Sequence, residues 1–355
     1  MRFQCHKCKG IVAIDDSEFG KPAGCGHCQN VTMVPESRFS KGAVVDDFVI
    51  RDVLGTGGMG KVYLAHQVSL DRPVALKILL EKYAEEKEFI IDFIKEARAA
   101  ARLNHPNIVQ AYAVGAEEGI YFFAMEYVEG TTLKDVRDQR QKLPWREAFE
   151  IGQQIAEGLD FGWKNQQLIH RDVKPDNIML ANNGLAKLAD LGLARVAAEL
   201  RTDEGDQVMG TPQYISPEQL MGHPMDVRGD IYSLGATLYQ TITGYFPFVG
   251  NSPTEVATQH LTEPLKSPHE YIPDLPAEVC WIIEKMMEKK PEDRFSGADV
   301  LQTAINDVLQ GRTPEGFATG STPGGAEDHV PQDTINQPAA AADSPGTKEK
   351  LTLRK

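Results

Sequence analysis

The chain has 355 residues, a length that suggests two or three domains, and its composition is that of a globular protein. Its formal net charge of −14 lies in residues 41–310, where 41 acidic residues outnumber 27 basic ones. A surface of that sign repels nucleic-acid phosphate and suits a basic protein substrate, so no nucleic-acid partner is expected. No apolar run approaches the roughly eighteen residues of a membrane helix, and no apolar signal segment starts the chain. We therefore expect no membrane span and a cytoplasmic location.

The first feature in chain order is a pair of C-x-x-C motifs, Cys5/Cys8 and Cys25/Cys28, separated by sixteen residues. Clustered thiols in a reducing compartment indicate a metal site or redox chemistry more than a disulfide. The spacing is typical of a zinc ribbon with four cysteine ligands, and so small a segment needs a metal to fold. We predict a β zinc ribbon over residues 1–36 with structural Zn²⁺, and a redox dithiol or a disulfide as the alternatives.

Two strand-like segments then flank a glycine-rich turn, GTGGMGKV, which runs from Gly55 to Val62. Glycines let the backbone approach phosphates closely and leave amide groups free to point at them. A strand follows this turn, whereas a helix follows the glycines of dinucleotide-binding folds. The pattern therefore favours a phosphate-covering flap between two strands.

A third strand, RPVALKILL, carries Lys77, and the helical segment after it carries Glu96. A lysine on such a strand can neutralise phosphate oxygens if a carboxylate holds it, and Glu96 is well placed to do so. Apolar residues repeat along the helix at helical spacing and predict a buried face. These residues are Phe89, Phe93, Ala97 and Ala100.

The remaining segments divide the chain into two parts and a tail. One further strand, IYFFAMEYV, is followed by long helical patterns, so strands crowd the first part and helices the second. We predict an α+β fold with two lobes. Residues 311–355 contain five Pro, six Gly and one aromatic residue, and we predict a disordered tail.

Two further motifs, HRDVKPDN at 170–177 and DLG at 190–192, precede an SPE triplet at 216–218. With these motifs in this order, residues 48–310 resemble the eukaryotic-type (Hanks-type) bacterial serine/threonine protein kinases. The resemblance implies a protein kinase fold with a β-rich N-terminal lobe and a helical C-terminal lobe. The cysteine block is similar to the short N-terminal zinc ribbons of multidomain bacterial proteins, planctomycete kinases among them.

The family resemblance also implies roles for individual residues, with ATP and Mg²⁺ (or Mn²⁺) as cofactors. Asp172 would orient the substrate hydroxyl and Lys174 would contact the γ-phosphate, while Asn177 and Asp190 would hold the metal. Lys77, held by Glu96, would bind the α- and β-phosphates. The implied nucleotide-binding residues are Leu54, Gly55, Thr56, Gly57, Gly58, Met59, Gly60, Lys61, Val62, Lys77, Met125, Glu126 and Val128.

The resemblance implies transfer of the ATP γ-phosphate to Ser/Thr hydroxyls of proteins. Thr202, the only hydroxyl residue between Asp190 and Thr211, is a candidate for autophosphorylation. One alternative is a non-catalytic pseudokinase adaptor, against which the intact Lys77, Asp172 and Asp190 argue. The other is a small-molecule phosphotransferase, but enzymes of that class usually lack a lysine at the position of Lys174 and lack the SPE segment.

Overall fold

The computed structural model describes residues 1–57, 60–84, 87–190 and 212–318. Four side chains within these ranges, those of Lys82, Glu88, Asp92 and Glu96, are outside the description. Within the described ranges no helix combines the length and the apolarity needed to cross a bilayer.

An antiparallel eight-stranded sheet forms the first lobe, with the strand order β2-β1-β5-β6-β7-β8-β10-β9. A three-stranded sheet, β11-β12-β13, lies with the helices of the second lobe, and β3 pairs with β4 alone. The strands are β1 (Arg2–Gln4), β2 (Ile11–Ala13), β3 (Pro22–Gly24), β4 (Val31–Met33), β5 (Ala43–Val45), β6 (Phe48–Thr56), β7 (Gly60–Gln67), β8 (Arg72–Leu79), β9 (Ala111–Glu117), β10 (Ile120–Glu126), β11 (Gly130–Thr132), β12 (Ile178–Ala181) and β13 (Ala186–Leu188).

Helices make up most of the second lobe, as the sequence patterns predict. The helices are α1 (Glu81–Ala84), α2 (Lys87–Ala100), α3 (Leu133–Arg140), α4 (Trp145–Gln166), α5 (Pro217–Leu220), α6 (Val227–Thr243), α7 (Pro253–Thr262), α8 (Ala277–Met286) and α9 (Ala298–Leu309). Helix α2 packs on the sheet of the first lobe, and its predicted apolar face is buried. The four residues of that face, Phe89, Phe93, Ala97 and Ala100, are each at most 4% exposed.

Helix α6 is the centre of the second lobe and is buried along almost its whole length. Its N-terminus is capped by Asp226, whose side chain accepts a hydrogen bond from the backbone N–H of Arg228. Its C-terminus ends at Gly244, which has a φ of 83° that glycine adopts without strain. The helix packs against α4 and α8, and Cys280 on α8 is buried.

The first part of the cysteine block, strands β1 and β2, belongs to the same sheet as the rest of the first lobe, whereas β3 and β4 form a sheet of their own. Strand β1 pairs with β5 through Arg2 and Phe3, and β5 pairs in turn with β6, the strand that leads into the glycine-rich turn. Phe3 is only 1% exposed. The sheet therefore runs without interruption from the cysteine block to the strands of the flap.

Ion pairs also join Arg2 and Arg38, near the two ends of the cysteine block, to the hairpin of β9 and β10. Arg2 pairs with Glu117, and Arg38 donates to Glu118 at 2.8 Å. Arg38 also donates to Asp16 at 2.7 and 3.0 Å, so one guanidinium bridges the two regions. Side-chain contacts thus reinforce the backbone pairing of β1 with β5.

The first residues of the predicted tail make defined contacts with the second lobe. Phe317 packs edge-on against Trp281, with ring centroids 5.8 Å apart. Arg312 pairs with Asp307 at the end of α9. The remainder of the predicted tail, from residue 319, lies outside the described residues.

Candidate active site

The segment from His170 to Asn177 brings three predicted site residues together. Lys174 Nζ lies 2.9 and 2.7 Å from the two carboxylate oxygens of Asp172. Asn177 Nδ2 donates to Asp172 Oδ2 at 2.9 Å and to the Asp172 carbonyl at 2.8 Å. Since both neighbours are donors, they stabilise the ionised carboxylate and fix its orientation. The Asp172 side chain is still 38% exposed, so a hydroxyl group can reach it.

Asp230, at the start of α6, holds the backbone that precedes Asp172. Its carboxylate accepts the backbone N–H groups of His170 and Arg171, each at 2.7 Å. Burial raises the pKa of Asp230, although the nearby His170 and the two backbone donors oppose that shift. His170 in turn contacts the Ala189 carbonyl at 2.8 Å, which links this segment to Asp190. The helix therefore positions the loop that carries Asp172.

Lys77 and Asp190, 113 residues apart in the sequence, form an ion pair of 2.9 Å. The side chain of Lys77 is 9% exposed and that of Asp190 is 31% exposed. Burial by itself would raise the pKa of Asp190, but the charge and hydrogen bond of Lys77 outweigh burial and lower it. Glu96, the predicted partner of Lys77, has its backbone in α2, and its side chain is outside the description.

The glycine-rich turn joins β6 to β7 as a β-turn-β flap, which is the arrangement that the sequence favours. The Gly57 N–H donates to the Gly60 carbonyl at 2.8 Å and closes the turn. A Cβ on Gly60 would lie 2.1 Å from the Ile78 carbonyl oxygen, so the close approach of β7 to β8 requires glycine. A Cβ on Gly55 would meet nothing within 4 Å, which leaves open space beside the strand. Gly58 and Met59 are outside the described residues.

The predicted adenine-binding segment follows the end of β10, where Met125 and Val128 are buried. Between them, the Glu126 carboxylate accepts hydrogen bonds from Lys187 Nζ at 3.0 Å and from the Gln110 backbone N–H at 3.2 Å. Hydrogen bonds from Lys187 and from Gln110 therefore hold the start of the connection between the two lobes. The sequence does not predict the pairing with Lys187, because no local pattern connects residues 61 positions apart.

A family model described as a protein kinase domain matches residues 48–305. The chain belongs to the protein kinase family. The serine/threonine-protein kinase PknB of Mycobacterium leprae is 38% identical over 275 residues, covering 76% of this chain and 44% of that protein. The serine/threonine-protein kinase PrkC of Bacillus subtilis is 40% identical over 262 residues, covering 74% of this chain and 40% of that protein. This chain thus spans less than half the length of these curated relatives.

A likeness to solved structures confirms the predicted fold class. The crystal structure of the Mycobacterium tuberculosis PknI kinase domain matches with a TM-score of 0.63 at 29% identity, over 76% of this chain and 98% of that one. The matched share is large enough to contain both lobes. The two-lobed α+β fold predicted from the sequence is therefore a protein kinase fold.

Glu218, the last residue of the SPE triplet, forms a buried ion pair with Arg294. Two hydrogen bonds join them, at 2.8 and 2.9 Å, and the Arg294 side chain is 0% exposed. The guanidinium also donates to the carbonyls of Arg228 and Glu288. The buried charge is therefore compensated by one carboxylate and by backbone acceptors, which makes the pair a rigid anchor for α5.

The four cysteines of the kinase's N-terminal segment converge on one point. Cys5 Sγ lies 3.8 Å from Cys28 Sγ, Cys8 Sγ lies 3.6 Å from Cys25 Sγ, and all four sulfurs lie within 4.8 Å of one another. A tetrahedral zinc ion with Zn–S bonds of about 2.3 Å sets its sulfurs about 3.8 Å apart. The spacing and the chemistry of these four donors therefore fit a zinc ion.

Each C-x-x-C motif forms the same backbone turn. The N–H of Cys5 donates to Gly10 and the N–H of Lys9 donates back to Cys5, at 2.9 and 3.0 Å. Cys25 makes the matching bonds with Asn30 and Gln29, at 2.9 and 2.8 Å. Lys9 and Gln29 also share a positive φ, 63° and 62°. Two equivalent tight turns, which we call knuckles, thus present two thiols each.

The two histidines beside these cysteines each contact the strand that follows the opposite turn. His6 Nδ1 lies 2.6 Å from Thr32 Oγ1, and His27 Nε2 lies 3.0 Å from the Ile11 carbonyl. A Cβ on Gly10 would lie 2.7 Å from the His27 ring, so glycine leaves room for that ring. The histidines therefore connect the two turns.

Proposed function

We propose that this chain is a serine/threonine protein kinase that transfers the γ-phosphate of ATP to protein hydroxyl groups. The observation that carries the proposal is the arrangement around Asp172, whose carboxylate is held by Lys174 and Asn177 beside the Lys77–Asp190 pair. Phosphoryl transfer needs positioning and charge neutralisation more than covalent chemistry by the protein. The Asp172 carboxylate would supply the positioning, and the ammonium groups of Lys174 and Lys77 would supply the neutralising charge.

Asp172 would accept a hydrogen bond from the substrate hydroxyl and take its proton as the hydroxyl attacks. Its exposed fraction of 38% leaves room for that hydroxyl. Lys174, bonded to the same carboxylate, would neutralise the transferred phosphoryl group. Lys77 would bind the α- and β-phosphates under the glycine flap, and Glu96 would hold it. The adenine would lie against the segment of Met125, Glu126 and Val128.

The donors at Asn177 and Asp190 suit Mg²⁺, which prefers carboxylate and amide oxygens. Bound with ATP, the ion would neutralise charge on the phosphates. The lowered pKa of Asp190 supports this role, because a metal-binding carboxylate must be ionised. Residue Asn177 has a second role, since its amide donates to Asp172 and so connects the metal site to the base.

The segment from Pro212 to Leu220, which we call the substrate platform, supports protein substrates over small molecules because it contains the SPE triplet. The substrate platform, which includes α5, is anchored by the buried Glu218–Arg294 pair and lies against the loop of Asp172. The acidic surface of the chain suits basic protein segments. Thr202 is our proposed autophosphorylation site, and it lies outside the described residues.

Phosphoamino-acid analysis tests the proposed activity. The full chain is incubated with γ-labelled ATP, Mg²⁺ and a basic protein such as myelin basic protein, and the protein is then hydrolysed and mapped. We expect label on phosphoserine and phosphothreonine and, within the chain itself, on Thr202. Absence of transfer would support a pseudokinase, and label only on a small-molecule acceptor would support a phosphotransferase of another class.

We also propose that Cys5, Cys8, Cys25 and Cys28 bind a structural zinc ion in a cytoplasmic protein. Four unbridged thiols within one cluster fit a reducing compartment and a closed metal site. Metal analysis of the purified chain should give about one zinc ion per chain. The Cys25→Ser variant should lose the metal and Cys280→Ala, a matched control with a buried thiol outside the cluster, should keep it. Equal zinc in wild type and Cys25→Ser would contradict the site.

A further inference from the structure

Three contacts hold the backbone on either side of Arg171, immediately before the proposed catalytic base. The Arg171 N–H donates to Asp230 at 2.7 Å, and the Arg171 carbonyl accepts a hydrogen bond from Gln219 Nε2 at 3.1 Å. The Asp172 N–H donates to His170 Nδ1 at 3.2 Å. The Arg171 carbonyl and the Asp172 N–H belong to one planar peptide group. Rotating that group, which would turn the Asp172 side chain, must break the bond from Gln219.

The conformation of Arg171 makes such a restraint necessary. Its φ is +66°, in the left-handed region that residues with a Cβ rarely adopt. A backbone of this kind persists only where its surroundings hold it. Asp230 holds the N–H side of Arg171 and, among the described residues, Gln219 holds its carbonyl side.

Gln219 is itself fixed by its position in α5. It follows Glu218, whose carboxylate is bound by the buried Arg294 through two hydrogen bonds. The Gln219 Oε1 atom is buried, and none of the described residues donates to it. The bond to the Arg171 carbonyl is therefore what orients this amide. A side chain of the substrate platform thus reaches a catalytic loop 48 residues away in the sequence.

We propose that Gln219 is a positioning residue for phosphoryl transfer. It couples the Glu218–Arg294 anchor of the platform to the peptide group that orients Asp172. The inference rests on the proposed kinase activity. It predicts that Gln219 affects the chemical step and not nucleotide binding, because Gln219 forms no hydrogen bond with Lys77 or Asp190, the ATP-binding groups, in the described structure.

Two substitutions separate the hydrogen bond from the shape of the side chain. Gln219→Glu keeps the shape but replaces the donor with an acceptor, whereas Gln219→His changes the shape and keeps an N–H at a similar reach. We expect kcat to fall by about tenfold for Gln219→Glu, with the KM for ATP close to wild type. Gln219→His should recover most of that loss. Met221→Ala, an exposed residue just after α5, controls for disturbance of the segment.

The outcomes distinguish the inference from the activity on which it rests. If the wild type transfers no phosphate, the proposed function fails. If the wild type is active and Gln219→Glu retains its kcat, only the inference is overturned. Equal losses in Gln219→Glu and Gln219→His would show that shape rather than the donor matters, and would overturn it as well. A loss confined to the KM for ATP would also contradict it.

Discussion

His260 on α7 is a buried histidine whose neutral state sets part of the stability of the second lobe. It is 0% exposed and lies 2.8 Å from the Tyr232 hydroxyl. Burial lowers its pKa to about 3, the nearby charge of Lys289 adds to that effect, and the backbone of Gln213 opposes it. The unfolded chain should bind a proton on this histidine near its ordinary pKa of about 6.5. Between these two values, acid therefore favours unfolding.

The magnitude follows from linkage. Below about pH 6.5 the unfolded state carries one more proton than the folded state, so each pH unit removes up to about 1.4 kcal/mol of stability. Between pH 7 and pH 5, His260 should contribute a loss of about 2 kcal/mol. The His260→Asn variant keeps an acceptor for the Tyr232 hydroxyl but cannot titrate. Between pH 7 and pH 5 its free energy of unfolding should therefore fall by about 2 kcal/mol less than that of the wild type.

Urea unfolding followed by tryptophan fluorescence at pH 7 and pH 5 measures this difference directly. His260→Asn will be less stable than wild type at pH 7, because it leaves space in a packed site, but its pH dependence should be weaker by about 2 kcal/mol. His223→Asn, a substitution of an exposed histidine, is the matched control and should follow wild type. Equal loss of stability in wild type and His260→Asn between these pH values would refute the reasoning.

Two further predictions concern ion pairs with different burial. Glu218→Gln leaves the buried guanidinium of Arg294 without its carboxylate, and we expect the free energy of unfolding in urea to fall by about 3–5 kcal/mol. Arg312→Ala, at an exposed pair, should lower it by less than about 0.5 kcal/mol. Similar losses in the two variants would contradict this prediction. Arg38→Ala removes the bridge to Glu118 and should cost only about 0.5–1 kcal/mol because the guanidinium is 35% exposed. It should raise amide hydrogen exchange in the β9–β10 turn while zinc content stays unchanged, and unaltered exchange there would show that the bridge does not stabilise the turn.

Much of the site could be predicted from the sequence because its geometry is local. Asp172, Lys174 and Asn177 lie within six residues, so a short loop closed by a 3-10 turn at Pro175–Asn177 brings them together. The knuckles of the cysteine cluster are also local, since each is one tight turn. Residues far apart in the sequence, such as Lys77 and Asp190, could be assigned to one site only through the family resemblance.

The attachment of the cysteine block could not be predicted. The pairing of β1 with β5 covers two residue pairs, too short for a recognisable alternation of polar and apolar residues. The bridge from Arg38 to Glu118 joins residues 80 positions apart, and a surface charge carries no signal about its partner. The bond from Gln219 to the Arg171 carbonyl depends on a left-handed backbone at Arg171, a conformation that an arginine does not indicate in a sequence.

The central claim, that Asp172 is the base of a phosphoryl transfer, is tested most directly by rates of phosphate transfer from labelled ATP. We expect Asp172→Asn to bind ATP and Mg²⁺ like wild type, because Lys77 and Asp190 are unchanged, but to transfer phosphate at least about a hundredfold more slowly. Asp299→Asn, an exposed aspartate on α9, should transfer at the wild-type rate. Equal transfer rates in Asp172→Asn and wild type would contradict the account.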